Sequence, residues 1–226
     1  MLDDAHLALL PPAAVRDELR ALGQHDPDIA RLAHASPGAP DPDAIVTLED
    51  DAGKVVFQMV EVPVPGVSGQ LLVGPQPGRI TKLAGELDAL AAYGVAHVLC
   101  LVPRIDLAGD AYRVPTYVEE ATARFGEGFS LVDVVDYEAP PDDAAFEVAL
   151  DAAERALVAG HKVYVHCGAG CGRAGVFASC MLVRRGTEPL AAVRRFREIR
   201  GCGPETPEQV AYVVRYAQRR RERGSS

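Results

Sequence analysis

Along the first fifty residues the apolar positions support one helical stretch, Ala13 to Leu22. They then lose any period, because Pro27, Pro37, Pro40 and Pro42 interrupt the chain beyond it. Residues 1–50 are therefore expected to be an N-terminal extension, partly ordered at best, and residues 51–226 the main domain. From Val55 the pattern changes to β-branched and apolar runs, Val55–Val62 and Gln70–Val73, set apart by Pro63, Pro65 and Gly66, which predicts short strands. Ile80 to Tyr93 carries Leu83, Leu87 and Leu90 at helical spacing and stops at Gly94. The unbroken apolar run Val95–Val102 then reads as a buried strand. The alternation continues through a helix capped by Thr116, a strand over Phe129–Val135, a helix over Ala144–Val158 and a strand ending at Val165. Apolar residues from Val176 to Val183 predict the next helix. Glu188–Arg200 and Thr206–Arg223 predict two more, joined by Gly201-Cys202-Gly203-Pro204. Helices alternating with strands in this way imply an α/β fold, a central, mostly parallel twisted sheet flanked by helices. The loops after Val102, Val135 and Val165 would then open at one carboxyl edge, where such sheets bind ligands.

The loop after Val165 carries the chemistry. It reads His166-Cys167-Gly168-Ala169-Gly170-Cys171-Gly172-Arg173, with a strand before it and a helix after it. A glycine-rich turn into a helix N-terminus directs backbone N–H groups into a concavity that suits an oxyanion such as phosphate. At the base of that concavity the amides and Arg173 favour the thiolate of Cys167, a nucleophile at neutral pH. The planar guanidinium of Arg173 matches two phosphoryl oxygens, as a lysine does not. The amides of Gly168, Ala169, Gly170, Cys171 and Gly172, with Arg173, form the expected binding surface. Two plainer explanations compete: a core cysteine beside a turn, and a metal site from His161, His166, Cys167 and Cys171. The coincidence of motif and context disfavours the first, and the spacing matches no common zinc pattern.

This run resembles the H-C-x-x-G-x-x-R signature of the cysteine-dependent protein tyrosine and dual-specificity phosphatases. With Tyr112-Arg113-Val114-Pro115 and the loop at Asp136, it looks most like the kinase-associated phosphatase branch. The resemblance implies a dual-specificity-phosphatase-like fold and hydrolysis of phosphate monoesters through a phosphocysteine at Cys167. It also implies a general acid on the loop after Val135. Asp136 is the expected acid, with Asp142, Asp143 and Glu138 as alternatives. Gln209 is similar to the glutamine that the family places near the attacking water; a surface position on its helix is the plainer reading. His166 is expected to support the loop through a backbone hydrogen bond, and Arg104 or Asp106 to brace it from the neighbouring strand end. The chain departs from the family at Ala174, where a serine or threonine hydroxyl ordinarily assists departure of the thiolate. That departure keeps open a weak or inactive phosphate-binding pseudophosphatase. A rhodanese-type sulfurtransferase is the other alternative. The resemblance implies no metal or organic cofactor.

Composition adjusts this picture at three points. The net charge of −9 disfavours a general nucleic-acid binder and leaves a phosphorylated protein or small phosphate monoester as the expected partner. The charge is uneven: from His161 onward the chain has 13 Lys and Arg against 5 Asp and Glu, so the half with the loop is the basic one. Five cysteines between Cys100 and Cys202 do not suggest a disulfide scaffold, and a reducing compartment fits. The N-terminus lacks the basic region of a signal peptide and no apolar stretch reaches membrane-spanning length, so a cytoplasmic protein without membrane insertion is expected.

Overall fold

The structure, a computed structural model, describes residues 3–50, 52–141 and 143–224. Its strands are β1 (Ile45–Glu49), β2 (Val55–Val62), β3 (Gln70–Gly74), β4 (Val95–Cys100), β5 (Phe129–Leu131) and β6 (Lys162–His166). Its helices are α1 (Asp4–Leu7), α2 (Ala13–His25), α3 (Pro27–Ala33), α4 (Leu83–Ala92), α5 (Arg104–Leu107), α6 (Tyr117–Phe125), α7 (Asp143–Val158), α8 (Gly172–Arg184), α9 (Pro189–Arg200) and α10 (Pro207–Gly224).

The six strands form one sheet in the order β1-β2-β3-β6-β4-β5. The pairs β3–β6, β6–β4 and β4–β5 are parallel, and β1–β2 and β2–β3 antiparallel, so the sheet is mixed. Strand β6, which delivers the signature loop, lies inside the sheet, and Val163, Tyr164 and Val165 are buried. Burial of both faces explains why the run reads as continuously apolar instead of alternating.

Each face has its own core. On one, α7, α8, α9 and α10 cover Val62, Leu71, Val163 and Val165. On the other, α4 and α6 cover Phe57, Leu72, Val98 and Tyr164. The N-terminal segment differs from the expected extension. Leu19 and Ile29 are buried in the first core, α2 packs along α10, and β1 completes the sheet. The prolines that removed the period are used locally: Asp26 caps α3 with Pro27 in its first turn, and Pro42 opens a short 3-10 turn before β1.

Two boundary expectations are also corrected. Ladder pairing of β5 stops at Leu131, short of Val135, because β4 offers partners only from Val98 to Cys100. Thr116 makes no side-chain cap; its hydroxyl donates to Glu120 instead, at 2.7 Å.

Candidate active site

Strand β6 ends at His166 and α8 begins at Gly172, so residues 167–171 form the tight loop between them. Two glycines are needed by geometry around it. Gly170 has φ +76° and lies so close to Gly74 that a Cβ would meet the Gly74 carbonyl oxygen at 2.4 Å. Gly203 has φ +67°, and a Cβ there would lie 2.1 Å from the Cys171 carbonyl oxygen. Cys167 is 3% exposed at the loop's base. The other free cysteines are ordinary core thiols: burial pushes Cys100 up to about 12 and Cys180 well above its usual value.

Arg173 is 2% exposed and held in one orientation. Its Nη1 donates to the carbonyls of Val134 at 3.0 Å and Leu101 at 3.4 Å, and Nη2 donates to the Tyr112 hydroxyl at 2.8 Å. Burial opposes its charge, but Cys167, Tyr112 and Asp136 outweigh that penalty and raise its pKa. Asp136 accepts from Nη2 at 2.9 Å, although its own side chain is half exposed. Nε of Arg173 is buried with no partner among the described residues. One edge of the guanidinium is thus fixed to main chain, while the Nε–Nη2 edge carries only Tyr112 and a displaceable carboxylate.

His166 supports this arrangement as a neutral ring. Burial pushes its pKa down to about 3, the nearby Arg173 contributes in the same direction, and only the Cys167 carbonyl opposes. Nδ1 lies 3.3 Å from that carbonyl and Nε2 2.5 Å from the Tyr117 hydroxyl. Gln209 is fully buried, unlike the surface reading for its helix. Its Oε1 accepts from the Glu205 N–H at 2.8 Å and its Nε2 donates to the Glu138 carbonyl at 3.2 Å. Gln209 therefore joins the Asp136 loop to the start of α10 beside Gly172, a link repeated where the Thr206 hydroxyl donates to the Tyr137 carbonyl at 3.1 Å.

The alternative acids lie elsewhere. Asp143 accepts from Tyr212 and Arg219 at the start of α7, and Glu138 lines a separate hollow with Arg16 and Arg20. Asp142 lies outside the described residues. Neither Arg104 nor Asp106 braces the loop by its side chain: the Arg104 N–H donates to Asp133, and the Asp106 carboxylate bonds His6 of α1 at 2.7 Å. Among the described residues no group of three His, Cys, Asp or Glu is arranged to hold a metal ion.

The reading of the cysteines is corrected. Cys171 and Cys202 form a disulfide across 31 residues, their Cα atoms 5.4 Å apart. Gly201, at φ +80°, ends α9 in the left-handed conformation and turns Cys202 back toward the loop. An odd count and wide spacing gave no sign of this pairing. The same turn supplies two groups that the sequence reading missed. Arg200 donates to the carbonyls of Ala169 at 2.8 Å and Gly170 at 3.3 Å. Glu205 reaches Gly172, whose N–H it accepts; burial, and then the neighbouring Asp136, raise its pKa.

The loop thus holds one buried free cysteine and a clamped arginine at the carboxyl edge of the parallel strands of an α/β sheet. Residues 77–223 match the family model described as the Swiss Army Knife protein, DSP-PTPase phosphatase domain, and the chain belongs to that family. Solved structures agree on the fold. Kinase associated phosphatase, with its catalytic-site cysteine replaced by serine, superposes with a TM-score of 0.62 at 20% identity, over 68% of this chain and 89% of that one. Tk-PTP in the active form gives 0.53 at 27% identity, over 69% and 98%. The human tyrosine phosphatase-like serine/threonine/tyrosine-interacting protein gives 0.53 at 20%, over 74% and 98%. No curated protein matches the sequence.

Proposed function

We propose that the chain is a protein tyrosine or dual-specificity phosphatase that hydrolyses phosphate monoesters through a phosphocysteine at Cys167. The observation that carries this reading is the Nε–Nη2 edge of Arg173, buried and pre-oriented, with Nε unpartnered and Nη2 shared with Asp136. A phosphate dianion accepts from both nitrogens as a bidentate ligand and displaces the single carboxylate. Cys167 Sγ then attacks phosphorus in line as the ester P–O bond breaks. Asp136, freed from Arg173 and held beside it on a loop bonded by Gln209 and Thr206, takes up a proton from solvent once that cation no longer pairs with it, and gives this proton to the leaving oxygen. Water next attacks the phosphocysteine, Asp136 takes the water's proton, the S–P bond breaks to restore the thiolate, and inorganic phosphate leaves. Glu205 and Gln209, packed against Gly172, border the approach of that water. The loop amides and Arg173 stabilise charge on the transferring phosphoryl group throughout, and the scheme uses no metal or organic cofactor.

Turnover of an aryl phosphate tests this reading and separates it from a pseudophosphatase, the alternative that Ala174 favours. Wild-type protein is expected to turn over and Cys167→Ser to bind phosphate without turnover. A Cys167→Ser variant with wild-type activity overturns the assignment.

A further inference from the structure

Strand β2 is longer than the neighbour on its inner side. It pairs with β1 from Val55 to Val60, but with β3 only from Val60 to Val62. Past Gly74 the chain does not continue the ladder. Pro75 has no N–H and its carbonyl accepts the Tyr164 hydroxyl, while the Gln76 N–H turns aside to the Gly168 carbonyl at 3.0 Å. Residues 55–58 therefore present an unpaired strand edge, about 13 Å long at roughly 3.3 Å per residue. Among the described residues no side chain bonds their main chain on that side.

This edge borders a groove of about 600 Å³ whose floor includes Gly168 and Ala169 of the phosphate loop. Val60 is paired on both sides, but Val55, Val56, Phe57 and Gln58 of the unpaired edge all line the groove. One wall is the turn at Arg79 and Ile80, pinned by Glu86, which accepts from the Gly78 N–H and the Thr81 hydroxyl at 2.6 Å each. Pro40, Ile45 and Arg200 form the other. Ile80 is 83% exposed. The Arg200 guanidinium is engaged by loop carbonyls, whereas Arg79 has no ion pair among the described residues. It stands 5.4 Å over the ring of Tyr112, the residue that holds Arg173.

We propose that this groove binds an extended phosphopeptide as an added strand on β2, with its phosphorylated side chain turned down into the loop and an acidic neighbour on Arg79. The proposal rests on the phosphatase reading above and names its substrate class. A chain in the groove pairs with the N–H and C=O groups that alternate residues of 55–58 direct to this edge, sends alternate side chains to the Ile80 wall and the Ile45 wall, and meets positive charge beside the phosphate.

The test is a backbone N-methyl scan of a phosphotyrosine or phosphoserine peptide carrying one acidic flanking residue. kcat/KM is measured on wild-type protein and affinity on Cys167→Ser, with an aryl phosphate and phosphorylated lipid vesicles in parallel. Strand addition requires N-methylation to cost about five- to tenfold at alternate positions, one amide hydrogen bond each, and little between them. Arg79→Glu should reverse the preference for an acidic over a basic flank. Aryl phosphate turnover with an N-methyl scan silent at every position overturns the groove and leaves the catalytic reading intact. Preference for lipid vesicles over peptides also overturns it. If nothing is turned over, the phosphatase reading fails, and the affinity scan on Cys167→Ser still decides the groove.

Discussion

Breaking the Cys171–Cys202 bond should loosen the whole protein measurably, and Cys202→Ala is the perturbation. The bond spans 31 residues that include all of α8 and α9. Linking chain positions at that separation removes denatured-state entropy worth about 3.7 kcal/mol, between roughly 3 for a 15-residue loop and 4.7 for a 100-residue loop. For a domain of this size each kcal/mol moves Tm by about 2–4 °C, so Cys202→Ala should melt about 7–15 °C lower. Thermal unfolding of oxidised and reduced wild type and of the variant checks this, with thiols counted under denaturant. Oxidised wild type should show three free thiols, Cys100, Cys167 and Cys180, and reductant should expose all five. Reduced wild type should melt with the variant, and the variant should ignore reductant. If five thiols titrate in reduced wild type while its Tm stays within about 2 °C of the oxidised form, the low end of the shift for a single kcal/mol, the covalent link does not hold the loop region together.

Asp136→Asn should lower kcat by about 10²–10⁴ for poor leaving groups and far less for good ones; equal losses for both would exclude it as the acid. Ala174, fully buried in the first turn of α8, offers no hydroxyl to assist breakdown of the proposed phosphocysteine. Rapid-quench kinetics should show a burst, and Ala174→Ser should raise the steady-state rate about tenfold for each 1.4 kcal/mol of a charged hydrogen bond worth roughly 1.5–3 kcal/mol. A wild-type enzyme without a burst refutes this. His166, pushed down to about 3 in the fold, binds fewer protons there than in the unfolded chain at every pH between about 3 and its usual 6.5. Its stabilising effect is therefore complete above 6.5 and declines as pH falls, by about 1.4 kcal/mol per unit. Urea unfolding between pH 7 and 5 should show this slope in wild type and a shallower one in His166→Gln; equal slopes would mean the ring is not buried neutral.

The parts of the site legible in the sequence are those that are contiguous. Residues 166–173 read as a strand end, a glycine-rich turn and a helix start carrying Arg173 because they lie in series, and Asp136 could be expected near Arg173 because its loop leaves the sheet at the same edge, although β5 itself ends earlier, at Leu131. The rest depends on chain pieces brought together from far apart. Cys171 and Cys202 are separated by two helices, and the left-handed Gly201 at the end of α9 turns the chain back between them. Arg200 reads as one more arginine of a basic helix. β1 and α2–α3 read as an extension because prolines erase periodicity, yet Leu19 and Ile29 are as buried as any residue of the core. The compartment expectation also loses a support, since one of its grounds was that the cysteines stay unpaired.

A loop that turns its amides inward must turn its carbonyls outward, and each of those needs a donor when water is excluded. Here the donors come from three separate places. Leu101 N–H serves His166, Gln76 N–H serves Gly168, and Arg200 serves Ala169 and Gly170. The inner face of the loop is thus specified by its own glycines and Arg173, and the outer face by strand ends and the α9–α10 turn. Both faces must be satisfied before the amides point at a common centre, so a chain could carry the signature intact and still fail to form the site. The same outer shell explains the unpaired edge on β2. Gln76 leaves the ladder in order to serve Gly168, and in doing so opens the strand edge beside the loop. Support of the Cys167 loop and exposure of the groove next to it are then two consequences of one backbone turn.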